Sequence, residues 1–146
     1  MGEGACPQCR VASSAVLPRG LAALRRGAFL VHPKLEAPPV PGWFIVAPAR
    51  HVEQVDDLTP AELQELGPLV ATTSAAVRAE TPCARVYVCV FAELLPHFHV
   101  HVIGRPPDLP EDARGPSLFL AQGTLDADPD LSVARRVLAR LENRAP

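Results

Sequence analysis

Apolar positions along the chain fall into segments with two different periods. Ala28 to His32 and Trp43 to Ala47 are short apolar runs, separated by the Pro-rich stretch Pro33 to Gly42, which predicts two strands joined by a loop. Thr59-Pro60-Ala61-Glu62 then supplies a capping hydroxyl, a first-turn proline and an acid three positions on, the pattern of a helix start. Leu63, Leu66, Leu69, Val70, Thr73 and Val77 recur at helical spacing and predict its buried stripe. Pro68 cannot donate to the carbonyl four residues back, so Gly67-Pro68 predicts a kink or a split. Val86 to Phe91 is apolar on both alternating faces, the pattern of a central strand covered on both sides. His97 to Ile103 alternates, and as an extended segment it sends three imidazoles to one face and Phe98, Val100 and Val102 to the other. Pro106 to Asp130 has turn composition with an apolar patch at Leu118 to Leu120. Asp128-Pro129 then predicts the opening of a terminal helix with Leu131, Ala134, Val137, Leu138 and Leu141 on one side. The order strand, strand, helix, strand, strand, helix predicts an α+β domain with a largely antiparallel sheet.

Composition narrows the class. A chain of 146 residues, 48% hydrophobic and 21% charged, predicts one globular domain over residues 1–146. The formal charge is −2 and no basic run exceeds a pair such as Arg25-Arg26, which argues against binding along a nucleic-acid duplex. With no long apolar stretch and no export-type run within Met1 to Arg10, the chain reads as cytoplasmic, with no membrane partner. Lys34 stands alone against 13 arginines, a ratio that reads as codon bias. Four cysteines are too few for a disulfide scaffold, so Cys6-Pro7-Gln8-Cys9 points to a metal site or a redox pair.

The histidines carry the chemistry. Five in this length would give His-x-His-x-His by chance with a probability of roughly 0.006. Buried on one face for structure alone, each ring nitrogen would need its own partner. Two chemistries fit the spacing. The three rings can converge on one metal ion, or one ring can attack phosphorus while its neighbours position it or the phosphate oxygens. His99, flanked by a like residue on each side, is placed as an attacking group held between supports.

His97-Phe98-His99-Val100-His101-Val102-Ile103 resembles the motif of the histidine triad (HIT) superfamily. Pro41-Gly42-Trp43-Phe44-Ile45-Val46-Ala47-Pro48-Ala49-Arg50-His51-Val52 is similar to a second segment of that family, and the Leu-Thr-Pro-x-Glu helix start agrees. The resemblance covers about residues 6–114 and leaves 115–146 as a C-terminal extension with a helix. It implies a HIT-like fold of about five strands with two main helices, and a homodimer. It further implies a nucleotide hydrolase or nucleotidyl transferase acting on a phosphoanhydride or phosphoramidate through a nucleotidyl-histidine. His99 would be the nucleophile and His101 its support. His32 falls where relatives place Asn or Asp near the ribose, a surface turn being the other reading, and Arg105 would serve phosphate or cap the strand. A catalytically weak nucleotide-binding module and a metallohydrolase liganded by the triad are the alternatives.

The metal-containing branch of the family also implies ligands. Cys6 and Cys9, with His51 and His97, would hold a structural Zn2+, since four ligands leave no open position for water. A redox pair is less favoured because neither a strand before Cys6 nor a helix pattern at Cys9 is evident. Cys89 reads as a core thiol and Cys83 as a loop residue. The chain departs from the family where relatives carry Gln or a hydroxyl residue ahead of the triad. Glu93 and Leu94 stand there, which implies a different leaving part or a rearranged loop. Gly104 replaces a frequent Pro.

Overall fold

A computed structural model of the protein describes residues 6–14, 17–121, 125 and 130–144. Five antiparallel strands form one sheet, in the order β1-β2-β3-β5-β4. They are β1 Leu24–Arg26, β2 Phe29–Pro33, β3 Trp43–Pro48, β4 Arg85–Cys89 and β5 Val100–Arg105. The helices are α1 Pro7–Ser13, α2 Pro60–Glu80, α3 Ser117–Leu120 and α4 Ser132–Glu142. The architecture is the expected α+β one, with α2 and α4 as the main helices.

Alternation along the strands divides the interior in two. On one face Phe29, Val31, Phe44, Val46, Val100 and Val102 meet Ala76 and Val77 of α2 and Val137, Leu138 and Leu141 of α4. On the other, Trp43, Ile45, Ala47 and Ile103 meet Val40, Leu109, Ala113 and Leu118. Gly104 lets α2 approach. A Cβ there would lie 2.8 Å from Val77 Cγ1, and the Gly104 N–H donates to Gly42 O at 2.9 Å. A proline could do neither, which accounts for glycine at this position.

The capping box of α2 forms as predicted: Thr59 Oγ1 accepts from Glu62 N at 3.2 Å, and Glu62 Oε2 accepts from Thr59 N at 2.7 Å. Arg50 grips the same carboxylate, from Nε at 2.8 Å and Nη2 at 2.7 Å, and so ties the end of β3 to the start of α2. The Arg50 hydrogen bond pulls the Glu62 carboxyl down to about 2.

Four expectations need correction. The helix runs unbroken through Pro68, because Gly67 and Pro68 lie on its exposed side, where the carbonyl that loses its donor stays open to water. Leu63 is 46% exposed and outside the buried stripe, whereas Leu66, Leu69 and Val70 pack against the core. β4 is an edge strand, half-exposed, and not a central one. β5 starts at Val100, so only His101 of the triad lies in a strand, while Phe98 N donates to Val52 O at 2.6 Å and ties the approaching segment to the chain after His51. Asp128-Pro129 lies outside the described residues, and α4 begins at Ser132 with its N–H held by Asp130 Oδ1 at 2.8 Å. Its buried side carries Ala134, Val137, Leu138 and Leu141, as the spacing predicts.

Candidate functional site

β5 and the segment leading into it present the three histidines, all less than 9% exposed. Each ring is held differently. His97 places Nε2 3.1 Å from Pro48 O, and since a carbonyl only accepts, that nitrogen carries the proton. Its Nδ1 lone pair then faces Cys6 Sγ at 3.4 Å and Cys9 Sγ at 3.6 Å. Cys9 Sγ also lies 3.4 Å from His51 Nδ1, and the far nitrogen of His51 meets Glu53 Oε1 at 3.4 Å.

These four side chains, drawn from the N-cap and first turn of α1, the end of β3 and the start of the triad, bring their ligand atoms within 4.8 Å of one another. A tetrahedral ion with Zn–S near 2.3 Å and Zn–N near 2.05 Å has S···N edges of about 3.6 Å. The cluster matches that spacing, with both imidazole lone pairs turned inward and both outer nitrogens engaged, the usual outer arrangement of metal-bound histidine. Burial pushes the pKa of His97 down and keeps its ring neutral, as a ligand must be. The four residues singled out in the sequence are thus the ones brought together. The expectation that no helix opens at Cys9 is overturned: α1 spans Pro7–Ser13, too short for a period to show.

His99 donates from Nδ1 to His97 O at 2.6 Å, which leaves Nε2 to carry the lone pair. His101 sits edge-to-face beside it, ring centroids 4.7 Å apart. Trp43 Nε1 donates to His101 Nδ1 at 3.0 Å, and Phe119 lies edge-on to the same ring at 4.9 Å. Burial, with smaller repulsion from His99 and Lys34, lowers His101 to about 3.

His32 belongs to the same face, for cross-strand register places His32, Ile45, His101 and Cys89 in one row. It is 1% exposed and not a surface-turn residue. Its Nδ1–H donates to Pro33 O at 2.8 Å, and Nε2 accepts from Gln8 Nε2 at 2.9 Å. Burial lowers it to about 4.

Two further residues singled out in the sequence lie apart from the rings. Glu93 is exposed and lines a groove of about 900 Å³ between α2, β4 and residues 53–55, with Leu66, Val70, Val88 and Phe98. None of the triad histidines lines that groove. It opens over the hydrophobic edge of the sheet, so its size says nothing of chemistry. Arg105 is four residues beyond His101, about 13 Å along the strand, and its Nη1 donates to Pro106 O at 3.2 Å.

Sequence reasoning passed over Gln8, Trp43, Lys34 and Phe119. Trp43 is read from the sequence only as part of an apolar run, although the single tryptophan of the chain, once buried, needs an acceptor for its N–H. Lys34, set aside as composition, holds its ammonium 5.8 Å from the Trp43 ring centroid. Phe119 comes from a segment of turn composition and stacks edge-on against Trp43 and Phe91 as well as His101. No helix among the described residues is long and apolar enough to cross a membrane.

Solved structures share this architecture. A Zn-bound histidine triad family protein from Mycobacterium smegmatis superposes with a TM-score of 0.71 at 18% identity, over 97% of this chain and 96% of that one. A histidine triad protein from Sinorhizobium meliloti gives 0.68 at 21% identity, over 95% and 99%. A hypothetical histidine triad nucleotide-binding protein from Sulfolobus tokodaii gives 0.67 at 16%, over 94% and 93%. At such identities the likeness establishes the fold. No curated protein matches the sequence significantly. The HIT domain family model matches residues 31–108, more than half of the chain and the whole of the triad, and the protein therefore belongs to the HIT family.

Proposed function

We propose that the protein is a nucleotide hydrolase or nucleotidyl transferase that works through a covalent histidine intermediate. The observation that carries this reading is the His99 Nδ1–H bond to the His97 carbonyl, which dedicates Nε2 to the lone pair and aims the ring from a fixed point on the backbone. In the first step Nε2 attacks the α-phosphorus of a nucleoside phosphoanhydride or phosphoramidate. A P–N bond forms as the bond to the leaving oxygen or nitrogen breaks, and the leaving group takes that electron pair. In the second, water or an acceptor hydroxyl attacks phosphorus and forms a P–O bond, its proton passes to solvent, and the P–N electron pair returns to Nε2 as that bond breaks, which regenerates the imidazole. His101 supports the ring and the phosphate. His32, in the same row, faces the nucleoside side, and Glu93 and Arg105, further off, serve the remote part of the substrate.

Cys6, Cys9, His51 and His97 would hold a Zn2+ whose contribution is structural, since four ligands close its sphere. The ligand that anchors the N-terminal segment is also the residue whose carbonyl orients His99, so the geometry links the two sites directly. Both nitrogens of His97 are engaged away from the other two rings, and a metal shared by the triad gains no support. A Cys2His2 centre built on two thiolates suits a reducing, cytoplasmic location. A homodimer formed along β4 would cover the edge strand and its exposed Val88, Val90 and Phe91.

The decisive experiment is rapid-quench mass spectrometry of the protein with a nucleoside phosphoramidate or a dinucleoside polyphosphate. A nucleotidyl adduct on the wild type, absent from His99→Ala along with turnover, is the expected result. Full turnover by His99→Ala refutes the reading. Tight nucleotide binding without turnover by the wild type identifies a binding module instead.

A further inference from the structure

Neighbouring histidines of the triad meet different partners at Nδ1. His99 gives its Nδ1–H to a backbone carbonyl. His101 faces an indole N–H, a group that can donate and never accept. We propose that Trp43 is the positioning residue that fixes the proton of His101 on Nε2, so that this ring meets the substrate as a hydrogen-bond donor beside the nucleophile. The proposal rests on the nucleotidyl-transfer reading for its consequence, and on the Trp43 to His101 contact alone for its substance.

Trp43 is fully buried in the apolar cluster on the face of the sheet that carries His101, and its Nε1–H has His101 Nδ1 as acceptor at 3.0 Å. In a neutral imidazole an accepting Nδ1 places the proton on Nε2. Burial keeps the ring neutral at physiological pH, so the assignment is between two tautomers and not with an imidazolium. Edge-to-face contacts with Trp43, Phe119 and His99, at centroid distances of 5.8, 4.9 and 4.7 Å, hold the plane of the ring, and a half-turn within that plane would put Cδ2 in place of Nδ1 and strip the buried indole N–H of its acceptor.

The consequence is electrostatic. Phosphoryl oxygens are anionic and gain charge as the nucleophile approaches, so a fixed N–H stabilises them while a lone pair in the same place repels them. His99 needs the reverse presentation, a lone pair at Nε2, and obtains it from the backbone. The two partners thus sort a nucleophile and a donor out of two chemically identical side chains.

The test reads the nitrogens directly. In 15N-labelled wild-type protein at neutral pH, long-range 1H–15N spectra should show His101 with an unprotonated, hydrogen-bonded Nδ1 and a protonated Nε2, its signals assigned by their loss in His101→Asn. Trp43 is the only tryptophan, so its single indole N–H signal needs no assignment; it should be shifted and protected from exchange. Trp43→Phe keeps a ring in the cluster and removes the donor. It should erase the fixed nitrogen pattern of His101 and lower kcat by roughly 10- to 100-fold, the usual effect of removing an orienting partner of a functional imidazole, with KM moving less. A protonated Nδ1 in the wild type, or a Trp43→Phe protein with unchanged nitrogen signals and kcat, overturns the proposal. The wild-type spectrum decides even if the variant fails to fold. It also decides if no nucleotide is turned over, an outcome that removes the functional reading while leaving the proton assignment to stand or fall by its own signals.

Discussion

Acidification should destabilise this protein through His32 in a measurable and signed way. The ring is 1% exposed, neutral, and uses both nitrogens, one toward Pro33 O and one toward Gln8. Its pKa falls from 6.5 to about 4, chiefly because burial disfavours the imidazolium and despite the Pro33 hydrogen bond that opposes the shift. Between those two values the unfolded chain binds a proton that the native state refuses, so stability rises with pH across the window. The contribution is complete above pH 6.5, is lost as pH falls, and changes no further once pH drops below about 4. The depression corresponds to about 3 kcal/mol in full, of which about 2 kcal/mol is lost by pH 5. His32→Gln removes the titration and keeps an acceptor for Gln8. Urea unfolding of both proteins at pH 7.5 and pH 5 gives a double difference in which other titrating groups cancel. The wild type should lose about 2 kcal/mol more than the variant. Parallel losses, agreeing within about 0.5 kcal/mol, would show that His32 is not held neutral by its burial.

Two further outcomes follow from the metal cluster and the sheet edge. Cys9→Ser should reduce bound zinc from about one per chain to nearly none and lower the thermal midpoint, while His99→Ala keeps its zinc; atomic absorption on both proteins decides, and full zinc in Cys9→Ser refutes the ligand assignment. Val88→Glu puts a charge on the 51%-exposed edge position and should convert a dimer into a monomer by sedimentation equilibrium, a result that a monomeric wild type would make impossible.

The parts of the fold that could be read from the sequence are those where chain-local physics decides. Trp43 to Ala47 lies within the observed Trp43–Pro48 strand because a Pro-Gly turn and a Pro bound an apolar run. Thr59 and Glu62 announce α2 because capping is settled within four residues. The Cys6, Cys9, His51 and His97 set came from the resemblance to the metal-containing branch of the family, because the residues alone left the cysteine pair as a metal site or a redox pair. What stayed hidden depends on partners remote in sequence. α1 is held by Gln8 on His32 and by Val11 in the core, neither of which leaves a periodic trace in seven residues. Phe119 acquires its place from Trp43 and Phe91, both distant in the chain. β4 shows the same limit from the other side, because an apolar pattern on both faces reports that something covers the strand and not which molecule does so. Within one chain Val88 and Phe91 remain about half exposed.

The N-terminal segment and the triad form one device, and the direction of the links shows why. Cys6 and Cys9 meet His97 through its side chain, while His97 meets His99 through its carbonyl, so whatever fixes the first imidazole also fixes the acceptor that orients the second. Between those cysteines Gln8 reaches His32, two strands away from His101 in the same row of the sheet. A rotation of α1 would therefore disturb the carbonyl that orients His99 and the ring of His32 together. Trp43 meets the third histidine from the neighbouring strand β3 on the same face of the sheet. The three imidazoles, alike in the sequence, thus meet unlike partners: thiols at His97, a backbone carbonyl at His99 and an indole at His101.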